Sequence, residues 1–448
     1  MKRFAVAAAL LALPHPVQAD VLIDNIDGFT LDAEGKVLRF TGMLVGDDGR
    51  IEQIFAKRSD KRPGKVDYLV DGKGRVVMPG LIDSNVRLMP LGLSRIAPPE
   101  PATNGKPRPE DRDQALSEAQ QALLSTGITA VADMGTTIED WQTYRRAGDL
   151  GTLRLRVMAY AAGSDAMILI GGPGPTPWLY DDRLRLNGMA LTLDGPLASR
   201  GALLKAPYAD APAQKVTAKL SDTQLKNLMS RAAMDNFQVA VEASGDKATA
   251  DMLAALDELT QTYKGERRWR IERAEVIDPA DLQRLAKNGV IVSTQPALAT
   301  NGPATEAKLG PARIAYAWKS IADSGTKIAF GSGSTAQTPA PFAGLATAIT
   351  RQDAAGLPYG GWQGQERLTR EAALAAYTTG AAFAGFADGR FGRLLKGERA
   401  DFLMIDRDPL LATPAELRTT RVLQTWVGGK LVYQAKDAAT LTPAQTTR

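Results

Sequence analysis

The first part of the chain alternates between apolar and polar positions in short runs. Within residues 20–71, runs such as Val37–Phe40, Gly42–Val45 and Ile51–Ile54 are separated by turn-forming residues such as Asp47–Gly49. Short alternating runs rich in β-branched and aromatic residues favour strands, and Asp and Gly between them favour tight turns. This region is therefore predicted to form antiparallel β-structure.

The middle of the chain, from Val76 to about Ala387, alternates strand-like apolar runs with amphipathic helical segments. One such unit has apolar residues at helical spacing in Gln114–Thr126, followed by the apolar run Ile128–Ala132, and a capping box at Ser221–Gln224 opens another helix. Repeated βα units over about 300 residues favour a parallel β-barrel. A doubly wound open sheet stays the alternative, because periodicity does not distinguish the two.

Short strands return from about Phe391, in Asp401–Ile405 and Val422–Val432. Two β-rich segments therefore flank one long βα block. Elements of the same type tend to pack in one layer. We expect the two chain ends to pair into one small β-sandwich beside the barrel.

The first residues have the layout of a secretory signal peptide. Lys2 and Arg3 precede the apolar run Phe4–Leu13, and a small residue, Ala19, closes the segment. The apolar run is too short to span a membrane, and a buried N-terminal helix is the alternative. We expect cleavage after Ala19 and a periplasmic or secreted protein.

These patterns divide the chain into four parts. They are a signal peptide at 1–19, a composite β-sandwich domain at 20–80 and 390–435, a barrel at 81–389 and a C-terminal tail at 436–448.

Composition narrows the chemistry that this chain can perform. Lys and Arg number 54 against 50 Asp and Glu, so no nucleic-acid-binding surface is predicted. No run approaches the ~18 apolar residues of a membrane-spanning helix. The chain has no cysteine, and its single histidine, His15, lies in the predicted signal peptide. Cysteine nucleophiles, thiolate metal sites and Ser-His-Asp triads are therefore excluded from the mature protein.

Two segments, Val77–Asp83 and Gly392–Phe402, resemble the amidohydrolase superfamily. Similarity to its branch of N-substituted formamide deformylase-like exoenzymes lies in Asp194–Gly201, Arg270–Glu272, Ala315–Trp318, Thr350–Asp353 and Gly360–Trp362. The resemblance implies an α/β fold with a (β/α)8 TIM-type barrel and a flanking small β-sandwich built from both chain ends. It also implies a hydrolase of C–N bonds other than peptide bonds, with one or two divalent metals, usually zinc.

The positions that align with the metal site of this family hold other residue types. Where the resemblance implies a His-x-His, a bridging lysine, two further histidines and a catalytic aspartate, this sequence has Asn85, Arg87, Ala190, Glu242, Arg273 and Gly333. A guanidinium group stays protonated and has no lone pair for a metal. We therefore predict that the protein has no metal cofactor and no metal-dependent activity.

Arg87 and Arg273 place positive charge where the family holds a metal. We expect the two guanidinium groups to replace the metal electrostatically, with Glu242 and either Asp83 or Asp194 as counter-charges. The alternative is that both arginines face solvent in a drifted pocket. The family motifs also place five residues around the pocket, namely Asp83, Asp194, Arg200, Glu272 and Arg351.

These residues are compatible with three functions. The first, which we favour, is a degenerate, metal-free pseudo-hydrolase that binds a small molecule or pairs with an active paralogue. The second is a metal-independent hydrolase in which Glu242 is the catalytic residue. The third is a hydrolase whose carboxylates hold Mg²⁺, Ca²⁺ or Mn²⁺. Relatives often form dimers, so a homodimer is a further option.

Overall fold

The computed structural model describes residues 20–96, 107–436 and 444–445. The predicted signal peptide and most of the predicted tail lie outside these residues. The strands are β1 (Val21–Leu31), β2 (Val37–Val45), β3 (Ile51–Phe55), β4 (Tyr68–Asp71), β5 (Val76–Pro79), β6 (Leu81–Val86), β7 (Ile128–Thr136), β8 (Arg156–Ala162), β9 (Leu184–Thr192), β10 (Gln238–Ala243), β11 (Arg270–Arg273), β12 (Ile291–Thr294), β13 (Lys327–Phe330), β14 (Phe402–Ile405), β15 (Val422–Val427), β16 (Lys430–Gln434) and β17 (Ala444–Gln445).

The helices lie mainly between the strands of the middle block. They are α1 (Leu88–Leu93), α2 (Pro109–Ser125), α3 (Ile138–Asp149), α4 (Ser164–Gly171), α5 (Asp222–Met234), α6 (Asp246–Thr262), α7 (Leu282–Lys287), α8 (Gly302–Leu309), α9 (Trp318–Asp323), α10 (Pro341–Thr350), α11 (Arg370–Tyr377), α12 (Thr379–Ala384) and α13 (Pro414–Arg418). Among the described residues, no helix combines the length and the apolar character needed to cross a lipid bilayer.

The strands β6 to β13 form one parallel sheet in which neighbours in space are neighbours in sequence. The sheet closes on itself beyond β13, where Ser334 pairs in parallel with Val86. The N–H of Gly333 donates to the carbonyl of Asn85 at 2.7 Å, and the N–H of Arg87 donates to the carbonyl of Ser334 at 3.0 Å. The predicted (β/α)8 TIM-type barrel is therefore confirmed. The alternative of a doubly wound open sheet is wrong, because the first and last strands meet.

The predicted capping box at the start of α5 is confirmed. The Ser221 hydroxyl accepts a hydrogen bond from the N–H of Gln224 at 3.3 Å, and the Gln224 side chain accepts one from the N–H of Ser221 at 2.9 Å. Free N–H groups at the helix start are thereby satisfied. The helix buries Leu225 and Met229 against the barrel core, so its apolar spacing sets its orientation.

The two chain ends form a second sheet, as predicted. Its order is β16-β15-β14-β5-β1-β2-β3, with β4 along β1 and β17 along β4. The C-terminal strand β14 lies between β15 and the N-terminal β5, and both contacts are antiparallel. The N–H of Ile51 donates to the carbonyl of Glu398 at 2.9 Å and joins the far edge of the sheet to the C-terminal segment. The sheet thus folds around its own apolar core, in which Phe402 stacks on Trp426.

Ion pairs join the barrel to this sheet at the start of β8. Arg156 donates to both carboxylate oxygens of Asp401, at 2.5 and 2.7 Å, and both side chains are buried. Asp182 accepts from Arg399 at 2.8 Å and from Arg390 at 2.7 Å. We call these five residues the seam cluster.

Candidate functional site

The six positions predicted to replace metal-site residues lie around the carboxyl ends of the barrel strands. Asn85 is in β6, Arg87 follows it, Ala190 is in β9, Glu242 in β10, Arg273 at the end of β11, and Gly333 after β13. The strands are all parallel, so these ends form one rim, which is where such barrels place their active sites. We call this rim and its side chains the mouth. Ala190 sits deeper and packs with the apolar interior of the barrel.

Arg87 and Glu242 form an ion pair across the mouth, as expected. A guanidinium nitrogen of Arg87 donates to Glu242 Oε1 at 3.3 Å, and Thr192 Oγ1 donates to Glu242 Oε2 at 3.1 Å. The Arg87 side chain is 38% exposed and that of Glu242 is 20% exposed. The guanidinium lies over Gly135, where a Cβ would be 2.9 Å from Arg87 Nη1. Both carboxylate oxygens of Glu242 therefore already accept a hydrogen bond.

Arg273 pairs with a carboxylate that the sequence analysis did not select. Its guanidinium lies 2.9 Å from Glu275 Oε1, and its Nε also donates to the Ser244 hydroxyl at 3.1 Å. Glu275 is only 1% exposed, and its second oxygen accepts from the Tyr316 hydroxyl at 3.1 Å. Burial raises the pKa of Tyr316, and the neighbouring Glu275 charge raises it further, so the phenol stays a protonated donor.

Asp83 and Asp194 are not the counter-charges of these arginines, which corrects that expectation. In the described part of the chain neither carboxylate forms an ion pair with Arg87 or Arg273. The reason is geometric, since both carboxylates face backbone N–H groups of neighbouring turns.

Asp83 lies beneath the mouth, where β6 meets the turn after β13. Its Oδ1 accepts from the N–H of Asn85 at 3.0 Å and from the N–H of Ser332 at 2.9 Å. Its Oδ2 has no hydrogen-bond partner in the described residues. Burial raises the pKa of Asp83 to about 6. The Asp83 carboxyl group therefore joins β6 to the turn after β13 through Oδ1, and its Oδ2 atom has no partner among the described residues.

Gln295 is a second buried side chain with unused polar atoms. It is 1% exposed, and neither its amide oxygen nor its amide nitrogen has a partner within the described residues. A Cβ on Gly333 would lie 3.4 Å from the Gln295 side chain, and Gly333 has a φ of +63°. Because Gly333 has no side chain, it offers no side-chain partner for a hydrogen bond with the amide of Gln295. Nothing in the sequence around Gln295 indicates that its amide would be buried without a partner among the described residues.

The floor of the mouth is a buried chain of polar contacts. Asn85 donates its amide N–H to Glu272 Oε2 at 2.7 Å, and Arg270 donates to Glu272 Oε1 at 2.7 Å. Arg270 also donates to the Tyr160 hydroxyl at 2.9 Å. Burial raises the pKa of Glu272, although the charge of Arg270 opposes the shift. Glu272 is therefore fully engaged in holding Asn85 and Arg270.

The other predicted pocket residues hold loops in place. Asp194 accepts from the backbone N–H groups of Ser244, Gly245 and Leu203 at 2.8, 2.9 and 2.9 Å. Arg200 forms two hydrogen bonds with Asp210, at 2.7 and 3.0 Å, and its side chain is 40% exposed.

Arg351 is buried between two indole rings. Its guanidinium carbon lies 4.8 Å from the ring centre of Trp318 and 5.2 Å from that of Trp362. It donates to the carbonyls of Ala315, Tyr316 and Trp362 at 3.1, 3.0 and 3.1 Å. These contacts join the motifs quoted for the family, so Arg351 orders the loops behind Tyr316.

A repeated sequence unit, Arg-x-Glu, could have identified Glu275 as the partner of Arg273. Arg270 and Glu272 form one Arg-x-Glu unit, and Arg273 and Glu275 form the next. Each arginine pairs with the glutamate two positions later. Arg273 and Ala274 both have positive φ, at 76° and 46°, so the chain turns between the two units. The second unit is thereby directed to the mouth while the first stays in the barrel interior.

The donor set of the mouth does not fit a divalent metal. Among the described residues no group of three or more His, Cys, Asp or Glu side chains could hold a metal ion. Asn85 uses its amide as a donor, and Arg87 and Arg273 offer only protonated nitrogens. Zinc sites require lone pairs from imidazole, thiolate or carboxylate. That the protein binds no metal stays a prediction.

Comparison with known proteins identifies the family to which this arrangement is related. Residues 88–433 match the sequence model of the amidohydrolase family. The protein YtcJ of Bacillus subtilis (strain 168) is 29% identical over 334 residues, which cover 72% of this chain and 61% of YtcJ. The N-substituted formamide deformylase of Arthrobacter pascens is 25% identical, with 72% of this chain and 60% of the deformylase covered. This chain therefore spans about three fifths of the length of these curated relatives.

A solved structure supports the same fold. The chain is similar to the crystal structure of an uncharacterized metal-dependent hydrolase from Pyrococcus horikoshii OT3, with a TM-score of 0.74 and 20% sequence identity. The match covers 88% of this chain and 99% of that one. At this identity the similarity concerns the fold alone.

Proposed function

Because this chain belongs to the amidohydrolase family, we propose that it is a degenerate member that binds a small molecule without metal-dependent hydrolysis. The family is normally metal-dependent, and the resemblance of this sequence to its members implies the hydrolysis of C–N bonds. The observation that carries the proposal is the pair of ion pairs Arg87–Glu242 and Arg273–Glu275 at the mouth. Three of these four residues, Arg87, Glu242 and Arg273, stand at positions that we predict to align with the metal site of the family.

The electrostatics of the mouth oppose a dication. A guanidinium about 4 Å from a divalent ion would repel it by roughly 8 kcal/mol at an effective dielectric constant of 20. Glu242 and Glu275 each already have a guanidinium partner. A metal would have to displace an arginine to gain one carboxylate oxygen. The mouth therefore supplies hydrogen-bond donors and positive charge in the place of a Lewis acid.

Such a mouth is suited to a ligand with acceptor atoms, such as a carboxylate or an acyl group. Arg87 is partly exposed and its ion pair is long at 3.3 Å, so it can exchange Glu242 for a ligand at small cost. We propose that the protein acts in the periplasm or outside the cell, as a small-molecule-binding protein or the partner of an active paralogue. The predicted signal peptide supports that location.

The test is the metal content of the purified protein. Protein incubated with Zn²⁺, Mn²⁺ and Mg²⁺ and then desalted should retain less than about a tenth of an equivalent of each, because no group of side chains among the described residues offers enough lone pairs. A metal-dependent amidohydrolase treated in parallel controls for loss during desalting. One equivalent of metal per chain would contradict the proposal and favour a site built from carboxylates.

The second candidate function is metal-independent hydrolysis through Glu242, which is the carboxylate of the mouth that keeps partial exposure. It predicts that metal-stripped protein hydrolyses N-acyl or N-formyl amides. Under our proposal no turnover is expected with or without Glu242. Turnover that Glu242→Gln abolishes and Lys430→Gln leaves unchanged would replace our proposal with this one.

A further inference from the structure

A cavity of about 460 Å³ lies at the amino-terminal end of the barrel, opposite the mouth. Its walls come from the C-terminal ends of α6 and α7 and from the residues at the starts of β11, β12 and β13. Small-molecule sites have volumes of about 300–1,000 Å³, so this space has the size of one. None of the mouth residues lines it. A ligand here would therefore be separate from any ligand of the mouth.

Positive charge dominates the walls of this cavity. Its charged side chains are Lys264, Arg267, Arg268, Lys287, Lys327 and one acidic residue, Glu266. Arg268 is neutralised, since it pairs with Glu266 at 3.0 Å and also with Asp388. Among the described residues the other four cations form no ion pair within 4.0 Å. Four cations that have no ion-pair partner within 4.0 Å among the described residues therefore line the cavity.

Aromatic surface and unused donors accompany this charge. Tyr263, Trp269 and Phe383 line the cavity. Trp269 is 3% exposed and its indole N–H has no hydrogen-bond partner in the described residues. Arg267 Nε is a second buried donor without a partner there. Buried N–H groups are nearly always bonded, so two residues that line the cavity each carry a donor that a ligand with acceptor atoms could satisfy.

Helix capping explains only part of the charge. Helix ends leave free carbonyls that cations can satisfy, and Lys264 does this for Thr260 at 2.9 Å. Lys287 and Lys327 form no side-chain hydrogen bond in the described residues, and both are exposed. Lys327 Nζ lies 5.9 Å from the ring centre of Phe383. In the described part of the chain, two exposed ammonium groups therefore stand at the rim of an aromatic-walled cavity without a hydrogen-bond or ion-pair partner.

We propose that this cavity is a second ligand site, for a small organic anion with a planar ring. The ring contacts the aromatic wall, and the anionic group meets Lys287 and Lys327. Aromatic contact supplies apolar burial, and the ammonium groups select a negative charge. In such barrels the reacting groups lie at the opposite end, so this site binds its ligand without chemistry.

The test is calorimetric titration of the whole protein with three probes. 2-Naphthoate carries the ring and the charge, 2-naphthamide carries the ring alone, and inorganic phosphate carries the charge alone. We expect one molecule of 2-naphthoate per chain with a Kd below about 1 mM, and affinities at least about tenfold weaker for the other two. No binding of 2-naphthoate, or equal binding of either other probe, would overturn the proposal.

Variants locate the bound probe. The double substitution Lys287→Glu and Lys327→Glu should weaken 2-naphthoate binding by at least about tenfold, because it reverses two charges at the rim. Lys430→Glu, on the exposed surface of β16, is the matched control and should have no effect. Trp269→Phe keeps an aromatic ring, removes the indole N–H and should weaken binding a few-fold.

A variant at the mouth separates the two ends of the barrel. Arg87→Ala should leave 2-naphthoate binding unchanged if the probe lies in the cavity. If Arg87→Ala abolishes binding and the double lysine variant does not, the probe lies in the mouth. That result would overturn the second site.

Discussion

Arginine–carboxylate pairs occur both in the seam cluster and at the mouth, and the two pairs differ in how far their side chains are exposed to solvent. In the seam cluster the side chains of Arg156 and Asp401 are 1% and 2% exposed and share two short hydrogen bonds. At the mouth Arg87 and Glu242 are 38% and 20% exposed and share one bond of 3.3 Å. Removing one partner of a buried pair leaves the other charge buried and without solvent, which is costly. When one partner of a partly exposed pair is removed, water can solvate the charge that remains. The pair in the seam cluster should therefore contribute more to the stability of the fold than the pair at the mouth.

The carboxyl groups of the two regions also differ in protonation. Burial alone would raise the pKa of Asp182 in the seam cluster, but the hydrogen bond and charge of Arg399, together with Arg390 and Arg156, lower it. Next to the mouth, Asp133 in β7 accepts from the N–H of Leu88 and from two hydroxyl groups. Burial raises the pKa of Asp133 to about 6. A buried carboxyl group with cations nearby thus loses its proton at lower pH than usual, and one that accepts hydrogen bonds only from neutral donors loses it at higher pH than usual.

The largest expected effect is at the seam. Asp401→Ala should lower the free energy of unfolding by about 3–5 kcal/mol, because Arg156 then stays buried without its partner. Urea unfolding followed by circular dichroism measures the change. Asp323→Ala, which removes an exposed partner of Lys319, should change stability by less than about 0.5 kcal/mol. Equal effects of the two variants would contradict the role of the seam cluster.

Next in size is the pH dependence from Asp133. Its pKa is about 6 in the folded protein and 3.8 by reference, so the folded state binds the proton more tightly. Its stabilising contribution is complete below pH 3.8 and is lost as the pH rises through 6. The loss amounts to about 3 kcal/mol for a shift of this size.

Unfolding at several pH values checks this. Asp133→Asn should flatten the decline in stability between pH 4 and 7, because the amide does not ionise. Asp182→Asn should have the opposite effect, since the lowered pKa of Asp182 makes it stabilising at neutral pH and its contribution is lost at low pH. If both variants change the pH profile in the same direction, the contrast between the regions is wrong.

A smaller effect is expected for the second pair of the mouth. Arg273→Ala should cost about 1–3 kcal/mol, because Glu275 is buried and then keeps only the Tyr316 hydroxyl as a side-chain hydrogen-bond donor among the described residues. Adding Glu275→Gln should recover part of that loss, since the remaining group is then uncharged. Thermal unfolding of the two single variants and the double variant measures the coupling. Strict additivity would show that the ion pair contributes nothing.

The smallest effect is expected at the exposed pair. Glu242→Ala should change the free energy of unfolding by about 0–1 kcal/mol, because solvent screens Arg87 once its partner is removed. Thr192→Val, which removes the other hydrogen bond to Glu242, serves as the control of similar size. A loss of several kcal/mol would mean that this pair is as strongly coupled to the fold as the seam cluster.

Much of the architecture could be predicted from local patterns. The capping box at Ser221 and the apolar run Ile128–Ala132 in β7 were both visible, and the return of short strands after Phe391 predicted that the chain ends share a sheet. These features depend on the spacing of apolar residues and on the residue types at turns and helix ends, and both can be seen in a short stretch of sequence. The pairing of Arg273 with Glu275 also rests on a short sequence unit, Arg-x-Glu. It was not predicted because the site residues were chosen from metal-site motifs, and none of those motifs contains this unit.

The contacts between distant residues were beyond the sequence alone. Arg156 and Asp401 are 245 positions apart, and nothing near either residue indicates the other. Arg351 belonged to a family motif and was assigned to the pocket, yet it is buried between Trp318 and Trp362. A motif identifies a residue without stating which way its side chain turns.

The sequence by itself indicated the βα units of the middle block and the short strands at both ends, because these follow from short-range spacing, and the family resemblance favoured the barrel over an open sheet. Tertiary structure alone decided which carboxylate each arginine meets and how much water reaches the pair. That division has a physical cause. A charge's energy depends on its partners and on burial, and barrel closure sets both by bringing together the ends of strands far apart in sequence.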